Sequence, residues 1–486
     1  MSDPLKNLQP EHLFKHFKAI ADIPHGSYHT EKLSNAILAF AEEKHLNAER
    51  DDVGNVVITV PASPGHEDAA PVILQGHLDM VTVAKPGVIH DFDIDPITLV
   101  LKGDDLYADG TTLGADDGAG VAMALALLDE PDFVHPKLYL IFTTEEEVGM
   151  DGAYALDYQQ FADAKSMINL DSEDEGTATV GCAGGTHMKS TLPIRRVKAK
   201  GLAATLSVSG LAGGHSGDEI DQFGLNAVKV LTDALCAIAK DVDFSIVDLK
   251  GGERDNAIPT SAEATLLIAP GERVTLDQTV NALQHTFRAI AGKRDRGMTL
   301  ALDFPQADAV EASVLDPDSE ARVLGILSAA PTGVVAMNRS VPGAVNTSLN
   351  LGVAATSDKT LSLVFLIRSD HDAARDMLCG RVTRLIDLLG GTTGAPSAYP
   401  AWPARETSPL LDTMSAIWQA QTGKALTPMV IHGGLECALF AHALPDLDIV
   451  SIGPDNIDMH TANEHMSIPS FKRTYAFLKA AVEALA

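Results

Sequence analysis

The sequence predicts an α/β protein of two domains, and three observations predict it. Strand-like and helix-like patterns alternate along the chain, as they do where a sheet is layered with helices. The chain has 486 residues, more than one ordinary core holds. Several apolar strand-like runs also end directly in acids or histidines. Open α/β sheets collect their ligands at the carboxyl ends of strands.

Composition narrows the function classes. Hydrophobic residues make up 45% and charged residues 21%, a globular balance. Asp and Glu outnumber Lys and Arg by 66 to 36, for a formal net charge of -30. Such a surface repels phosphate backbones, so no nucleic-acid partner is expected. The opening stretch MSDPLKNLQPEHLFKHFKAI has neither the apolar core nor the small-residue cleavage site of a secretory signal. Residues 121–128, the most apolar helical run, fall far short of the roughly 20 residues that span a bilayer. No membrane partner is expected. Cys182, Cys236, Cys379 and Cys437 form no CxxC pair, and reduced thiols in a cytoplasmic protein are the simplest account.

The elements follow in order. Residues 10–20 place Leu13, Phe14, Phe17 and Ile20 on one helical face, and residues 30–44 do the same with Leu33, Ile37, Leu38 and Phe40. Residues 55–60 read as a strand, and so does the run Val72-Ile73-Leu74, which leads into Gly76-His77-Leu78-Asp79. His77 and Asp79 are two apart and share a side of an extended chain. A metal-binding His usually has its second ring nitrogen held by a carboxylate or carbonyl, a task that fits Asp79. A strand end with an incidental polar pair is the plainer reading of these two residues alone.

The segment GADDGAG, residues 114–120, reads as a glycine-rich loop before a buried helix over residues 121–128. It has no Lys, and two aspartates sit where phosphate would go, which excludes a P-loop. Helix capping accounts for adjacent aspartates equally well. Residues 137–144 form an apolar strand that runs straight into Glu145-Glu146-Glu147-Val148-Gly149. Residues 166–170 form another, ending in Asp171, and residues 448–452 a last one, ahead of Asp458-Met459-His460. Strands or the loops after them thus deliver His77, Asp79, Asp116, Glu146, Glu147, Asp171 and His460. Two His and three carboxylates are donors suited to zinc, cobalt or manganese. Five ligands exceed one tetrahedral zinc and suit two ions about 3.5–4 Å apart that share a carboxylate. A further carboxylate off the metal is then free to act as general base.

GHLDM, GADDGAG, EEEVG, NLDSE and MHTANE, in this order and spacing, resemble the di-metal aminopeptidase/carboxypeptidase family, which includes carboxypeptidase G, aminoacylase, peptidase T and the carnosinases. Within it the chain looks most like the bacterial cytosolic aminoacyl-histidine (Xaa-His) dipeptidases. The resemblance implies a zinc-peptidase-like catalytic domain, with a mixed central sheet flanked by helices, interrupted by an inserted α/β lid domain. It implies a catalytic domain over residues 1–185 and 395–486, and a lid over residues 186–394 that closes on substrate and makes a homodimer. It assigns His77 and Asp171 to one metal ion, Glu147 and His460 to the other, and Asp116 to both. Asp79 orients His77, and Glu146 is the general base. The triple-Glu run leaves a second register open, with Glu145 as base and Glu146 as ligand. Asp117 is likewise the alternative to Asp116. Two divalent ions per subunit are implied, zinc first, with cobalt or manganese as alternatives.

The insert carries further expected substrate residues. Gly213-Gly214-His215-Ser216-Gly217 resembles a family segment whose His polarises the scissile carbonyl. Asp255-Asn256-Ala257-Ile258-Pro259 resembles another, in which Asn256 is a candidate for touching substrate or oxyanion. Arg368, at the end of a strand over residues 361–367, is either a fork for a substrate carboxylate or a surface ion-pair partner. Glu436, in a glycine-rich turn entering a helix, is a candidate for gripping a substrate amine. The expected activity is hydrolysis of dipeptides, Xaa-His dipeptides including β-alanyl-histidine, by a metal-bound water with Glu146 as base. The alternatives are a metal-dependent amidohydrolase of N-acyl or carbamoyl substrates and a non-catalytic amino-acid or peptide binder. The binder would be expected to lack the base or a ligand, and all are present. A structural metal site would favour cysteine. Ser216 lies in no Gly-x-Ser-x-Gly elbow, so no serine nucleophile is invoked.

Overall fold

The computed structural model describes residues 4–217, 219–222, 224–339 and 341–486. The chain divides into two compact units. The first comprises Met1–Gly181, Ala404–Val430 and Leu435–Ala486, and the second Cys182–Pro403 and Ile431–Gly434.

The first unit is built on an eight-stranded sheet. Its strand order is Asn47–Arg50, Val56–Val60, Leu138–Thr143, Val72–His77, Ser166–Asn169, Asp448–Ser451, Thr177–Cys182 and Thr427–Ile431. The sheet is mixed. Val72–His77 runs parallel to both Leu138–Thr143 and Ser166–Asn169, and Asp448–Ser451 extends the parallel set. Val56–Val60 pairs antiparallel at its edge of that set. Every residue of Val72–His77 and of Leu138–Thr143 is buried, as parallel strands with both faces covered must be. That requirement explains their continuous apolar runs.

Helices cover the faces. Glu11–Ala21 buries Leu13, Phe14, Phe17 and Ile20, and Phe14 and Phe17 meet Phe471 edge to face. Glu31–Glu43 buries Leu33 and Ile37. Pro409–Thr422 and Ile468–Glu483 each start with Pro in the first turn and a serine cap: Ser408 accepts the Leu411 N–H and Ser467 the Ser470 N–H. A four-stranded sheet of Asn456–Ile457, His465–Ser467, Asp105–Ala108 and Leu99–Lys102 completes the unit.

One local expectation is corrected. GADDGAG is not a loop before a helix; the helix itself runs Ala115–Leu127, with non-helical backbone only at Asp116 and Asp117. Gly114 precedes it with φ 72°, a left-handed conformation. Gly120 serves packing: a Cβ there would lie 2.8 Å from the Leu170 carbonyl oxygen and 2.3 Å from Asp117 Oδ1. The glycines let a helix approach a strand, which looks the same in sequence as a turn.

The second unit has an eleven-stranded sheet. Its main order is Thr299–Asp303, Arg196–Ser209, Ala262–Ile268, Phe244–Gly251, Val345–Thr356, Thr360–Ser369, Gly184–Pro193 and Thr392–Thr393. Val310–Leu315, Gly333–Met337 and Ser397–Tyr399 pair alongside. The pairings among these strands are antiparallel. The helices Ala227–Ile238, Arg273–Ile290, Pro317–Ala329 and Asp372–Leu388 pack their apolar faces on it, around Leu206, Leu231, Leu266, Leu351 and Phe365. Among the described residues, no helix is long and apolar enough to cross a membrane.

Candidate functional site

The parallel strands of the first unit end at one edge, and the polar residues after them converge there. His77 closes its strand, Asp171 lies two residues beyond Asn169, and the Glu145–Glu147 run follows Thr143. Asp116 enters from the start of the Ala115–Leu127 helix, and His460 from the turn after Asn456–Ile457. His77 Nε2 lies 3.0 Å from Asp116 Oδ1 and 3.6 Å from Asp171 Oδ1. His460 Nε2 lies 3.0 Å from Asp116 Oδ2 and 3.1 Å from Glu147 Oε1. Asp116 therefore has one oxygen toward each histidine. Ligand atoms of His77, Asp116 and Glu147 all fall within 4.8 Å of one another.

The donor chemistry fits divalent cations. His77 Nδ1 donates to the Asp79 carbonyl oxygen at 2.9 Å, which turns Nε2 toward the cluster, where it would ligate a cation once its proton is lost. Glu147 Oε1 is buried and meets no hydrogen-bond geometry despite its nearness to His460. A buried carboxylate oxygen is costly unless a cation satisfies it, and His460 at 3.1 Å stands on the side where that cation would lie. Electrostatics agree. The hydrogen bond to Asp116 and the close approach of the Glu147 carboxylate outweigh burial and push the His460 imidazole up to about 11. Burial alone would raise the Asp116 carboxyl, but its hydrogen bonds to His460 and His77 hold it well below the usual carboxylate range. Burial raises Glu146 well above its ordinary value, opposed by the charge of His77.

Asp79 does more than the sequence indicates. Its carbonyl, rather than its carboxylate, makes the short contact to His77; the nearer carboxylate oxygen is 3.6 Å away. The carboxylate accepts the Glu146 N–H at 2.9 Å, the Glu147 N–H at 3.3 Å and the Ser27 hydroxyl at 2.8 Å. Asp79 thus ties the histidine to the glutamate turn. Glu145 turns elsewhere, with φ 59°, and accepts the Tyr28 N–H at 2.6 Å. Asp117 faces inward. It accepts the N–H groups of His77 and Gly120, each at 3.1 Å, and lies so close under Gly76 that a Cβ there would be 2.1 Å from its Oδ2.

Glu464 carries structural weight that sequence reasoning missed. It is 2% exposed. Its carboxylate accepts the backbone N–H groups of Leu113 at 2.7 Å, Gly114 at 3.1 Å, Ala115 at 2.9 Å and Asp116 at 3.5 Å. It cradles the segment that presents Asp116. The only signal was an acid four residues after His460. Nothing local reveals a partner some 350 residues back.

Three other expected residues meet in the second unit. Ser216 N–H donates to the Asn256 carbonyl at 2.8 Å and Ile258 N–H to the Gly214 carbonyl at 2.9 Å, so the His215 and Asn256 segments pair. Both residues line a cavity of about 360 Å³. Arg368 Nη2 lies 3.4 Å from His215 Nε2, and its Nη1 donates to the Tyr399 hydroxyl at 2.7 Å. Arg368 is 5% exposed, with no acidic partner among the described residues and no acceptor at Nε. Its surface ion-pair reading is thereby set aside.

Glu436 makes no hydrogen bond to either group among the described residues, although the charges of His77 and Asp171 reach it. It belongs to the first unit, is 0% exposed, and accepts Gln75 Nε2–H and the Thr143 hydroxyl, both at 2.6 Å. Burial pushes its carboxyl up to about 8, against the Thr143 hydrogen bond. With no exposed surface it offers no open grip for a substrate amine in this structure; one oxygen braces Gln75 and Thr143, and the other, Oε1, is buried without a hydrogen-bond partner.

Comparison with known proteins follows the same lines. The chain is 38% identical over 476 residues to the cytosol non-specific dipeptidase of Escherichia coli (strain K12), covering 98% of this chain and 97% of that one. It superposes on a crystal structure of aminoacylhistidine dipeptidase from Vibrio alginolyticus with TM-score 0.90 and 34% identity, over 100% of this chain and 99% of the other. Aminopeptidase PepT from Bacillus cereus ATCC 10987 shares the fold at TM-score 0.56 and 15% identity, over 98% of each chain. Residues 73–484 match the profile of peptidase family M20/M25/M40, a span that holds His77 and His460 together with everything between them. On that match and on end-to-end similarity to a dipeptidase, the chain belongs to peptidase family M20/M25/M40.

Proposed function

We propose that this peptidase hydrolyses dipeptides, Xaa-His dipeptides such as β-alanyl-histidine among them, in the cytoplasm. The observation that supports this most is Asp116, which offers one carboxylate oxygen to His77 and the other to His460. His77 and Asp171 would hold one divalent ion, Glu147 and His460 a second, and Asp116 both. Zinc is the proposed metal, with cobalt and manganese as alternatives. Such ions, when bound, supply Lewis acidity to a carbonyl and lower the pKa of water.

The remaining chemistry belongs to side chains. Glu146, whose backbone N–H is held by Asp79, takes the proton of the attacking water and passes it to the departing amine. A carboxylate whose proton affinity burial has raised is suited to both transfers. Arg368 receives the substrate carboxylate. A cation that is 95% buried needs an anion, and among the described residues the protein offers none. His215 lies beside it, and Asn256 lines a cavity with His215; the two serve as carbonyl and amide contacts. The names of two relatives bracket the specificity, one non-specific and one for aminoacyl-histidine. A homodimer formed through the second unit, acting as lid, is proposed as well, and sedimentation of the full chain tests its dimeric part.

Hydrolysis of β-alanyl-histidine and glycyl-histidine tests the activity. The metal-loaded chain, the stripped chain and Glu146→Ala are compared, with N-acetyl amino acids as competing substrates. Dipeptide cleavage is expected to vanish on stripping and in Glu146→Ala, and to return to the stripped wild type with zinc or manganese. Turnover of N-acetyl amino acids alone would overturn the substrate assignment and leave the family in place.

A further inference from the structure

Arg368, Gly185 and Tyr399 stand in one row across three neighbouring antiparallel strands of the second unit. Arg368 lies opposite Gly185 between Thr360–Ser369 and Gly184–Pro193, and Gly185 lies opposite Tyr399 of Ser397–Tyr399. Directly opposed residues project from the same face of a sheet, and adjacent strands are about 4.8 Å apart. Residues two strands apart meet only where the one between them has no side chain. Gly185 meets that condition: a Cβ there would lie 2.4 Å from the Tyr399 ring atoms Cε1 and Cζ and from its hydroxyl. The phenol lies across bare backbone and reaches the guanidinium.

Its position is held from other sides. A Cβ on Gly434 would come within 3.0 Å of Tyr399 Cε2, so a second glycine makes room for the ring. The Tyr399 carbonyl accepts Arg375 Nη1–H at 2.6 Å, and Arg375 also bonds Asp372 at 2.7 Å on the helix Asp372–Leu388. The hydroxyl then engages Arg368 Nη1 at 2.7 Å. An arginine has five N–H donors in a planar fork. With Nη1 engaged by Tyr399, Nε is buried without an acceptor and Nη2 has, among the described residues, the 3.4 Å approach of His215 alone. The Nε–Nη2 edge is the unpaired one, and such an edge binds a carboxylate through two parallel hydrogen bonds.

We propose that Tyr399, seated on Gly185, is a positioning residue that holds Arg368 with its Nε–Nη2 edge toward the C-terminal carboxylate of the peptide substrate. The proposal rests on the reading of Arg368 as the carboxylate receptor. Tyr399 acts through Arg368 and touches neither the scissile bond nor the carboxylate. Tyr399 and Gly185 thereby contribute to selecting substrates that end one residue after the cleaved bond.

The test is steady-state kinetics of the metal-loaded enzyme on glycyl-histidine and on its C-terminal amide. Wild type, Tyr399→Phe, Arg368→Lys, the double variant and Gly185→Ala are compared. For Tyr399→Phe, KM for the free acid is expected to rise about tenfold, the loss of one charge-assisted hydrogen bond, with kcat within about twofold. KM for the amide is expected to stay within about twofold, because the amide does not use the fork. In the Arg368→Lys background the same change should add less than about twofold, since the two residues act as one unit. Gly185→Ala, which displaces the phenol, should reproduce the Tyr399→Phe pattern. An equal loss on acid and amide, full additivity with Arg368→Lys, or no change in KM overturns the role of Tyr399. If the wild type cleaves acid and amide equally well while Arg368→Lys matches wild type, the reading of Arg368 fails first and this proposal goes with it.

Discussion

The two polar clusters of this chain are built in different ways. In the first unit most donors sit at the end of a strand or the start of a helix, and some sit beside their own supports. Asp79 is two residues from His77 and also holds the turn of Glu146 and Glu147. In the second unit Arg368 gains its setting from register across three strands, with partners 31 and 153 residues away. The first cluster is a set of short motifs brought to one edge. The second is a property of pairing. Contiguous motifs can be read from a chain, while pairing partners cannot.

Breaking the motif cluster should give the largest effect. Glu146→Gln keeps the shape and the backbone N–H bonded to Asp79 but cannot accept a proton. Its kcat is expected to fall by about 10²–10⁴-fold with KM and metal content near wild type. Kinetics with metal analysis of the same preparation checks this. If Glu146→Gln stays active and Glu145→Gln does not, the other register of the glutamate run is correct.

The register-built cluster should respond in KM. Arg368→Lys keeps a charge but loses the planar fork. KM for dipeptides is expected to rise about 30- to 100-fold, and kcat to change much less. An equal fall in kcat would mean that Arg368 contributes to the transition state, and the contrast between a chemical unit and a binding unit would be lost.

Glu464 tests whether the first cluster is as local as its motifs suggest. Gln in its place turns an NH₂ toward backbone N–H donors of residues 113–116. Metal affinity should weaken about 10–100-fold, as outer supports of metal ligands typically cost when lost. Competition with a chelator at fixed pH reads it. Unchanged affinity would show that Asp116 holds its place without the cradle.

How much could be read follows the same division. The mixed sheet and its flanking helices were legible from apolar runs, and such runs ending in acids, together with the motif resemblance, pointed to His77, Asp79, Asp116, Glu146, Glu147, Asp171 and His460, which the structure brings to one edge. The start of the Ala115–Leu127 helix was not: Gly118 and Gly120 look like loop glycines, and only the approach of Leu170 shows why Gly120 is needed. Glu464 and Tyr399 were invisible because their partners lie 348 and 31 residues away in sequence. Glu436 was misread for a related reason. A glycine-rich turn entering a helix resembles an exposed ligand loop, and burial is not written in a turn.

Glu436 gives the smallest effect on activity, and it distinguishes a strut from a grip by pH. Its carboxyl is held at about 8 in the folded chain, raised by burial from an ordinary 4.5. Between those values the folded state keeps a proton that the unfolded state has released. Stability therefore falls as pH rises from about 4.5 to about 8 and levels off above. Glu436→Gln resembles the neutral acid, keeps an oxygen for Gln75 and Thr143, and has no proton to lose. Urea unfolding of the metal-loaded protein across pH 5 to 9 should show the variant within about 1 kcal/mol of wild type at the acid end and about 4 kcal/mol more stable at the alkaline end. Activity on dipeptides should stay within about threefold, because a strut touches no substrate. Parallel stability curves together with a large rise in KM would mean that the carboxyl is charged and reachable, and the amine-gripping role would return. Curves that converge at low pH and separate at high pH place Glu436 with Asp117, among the buried carboxyls that shape the sheet beneath the site.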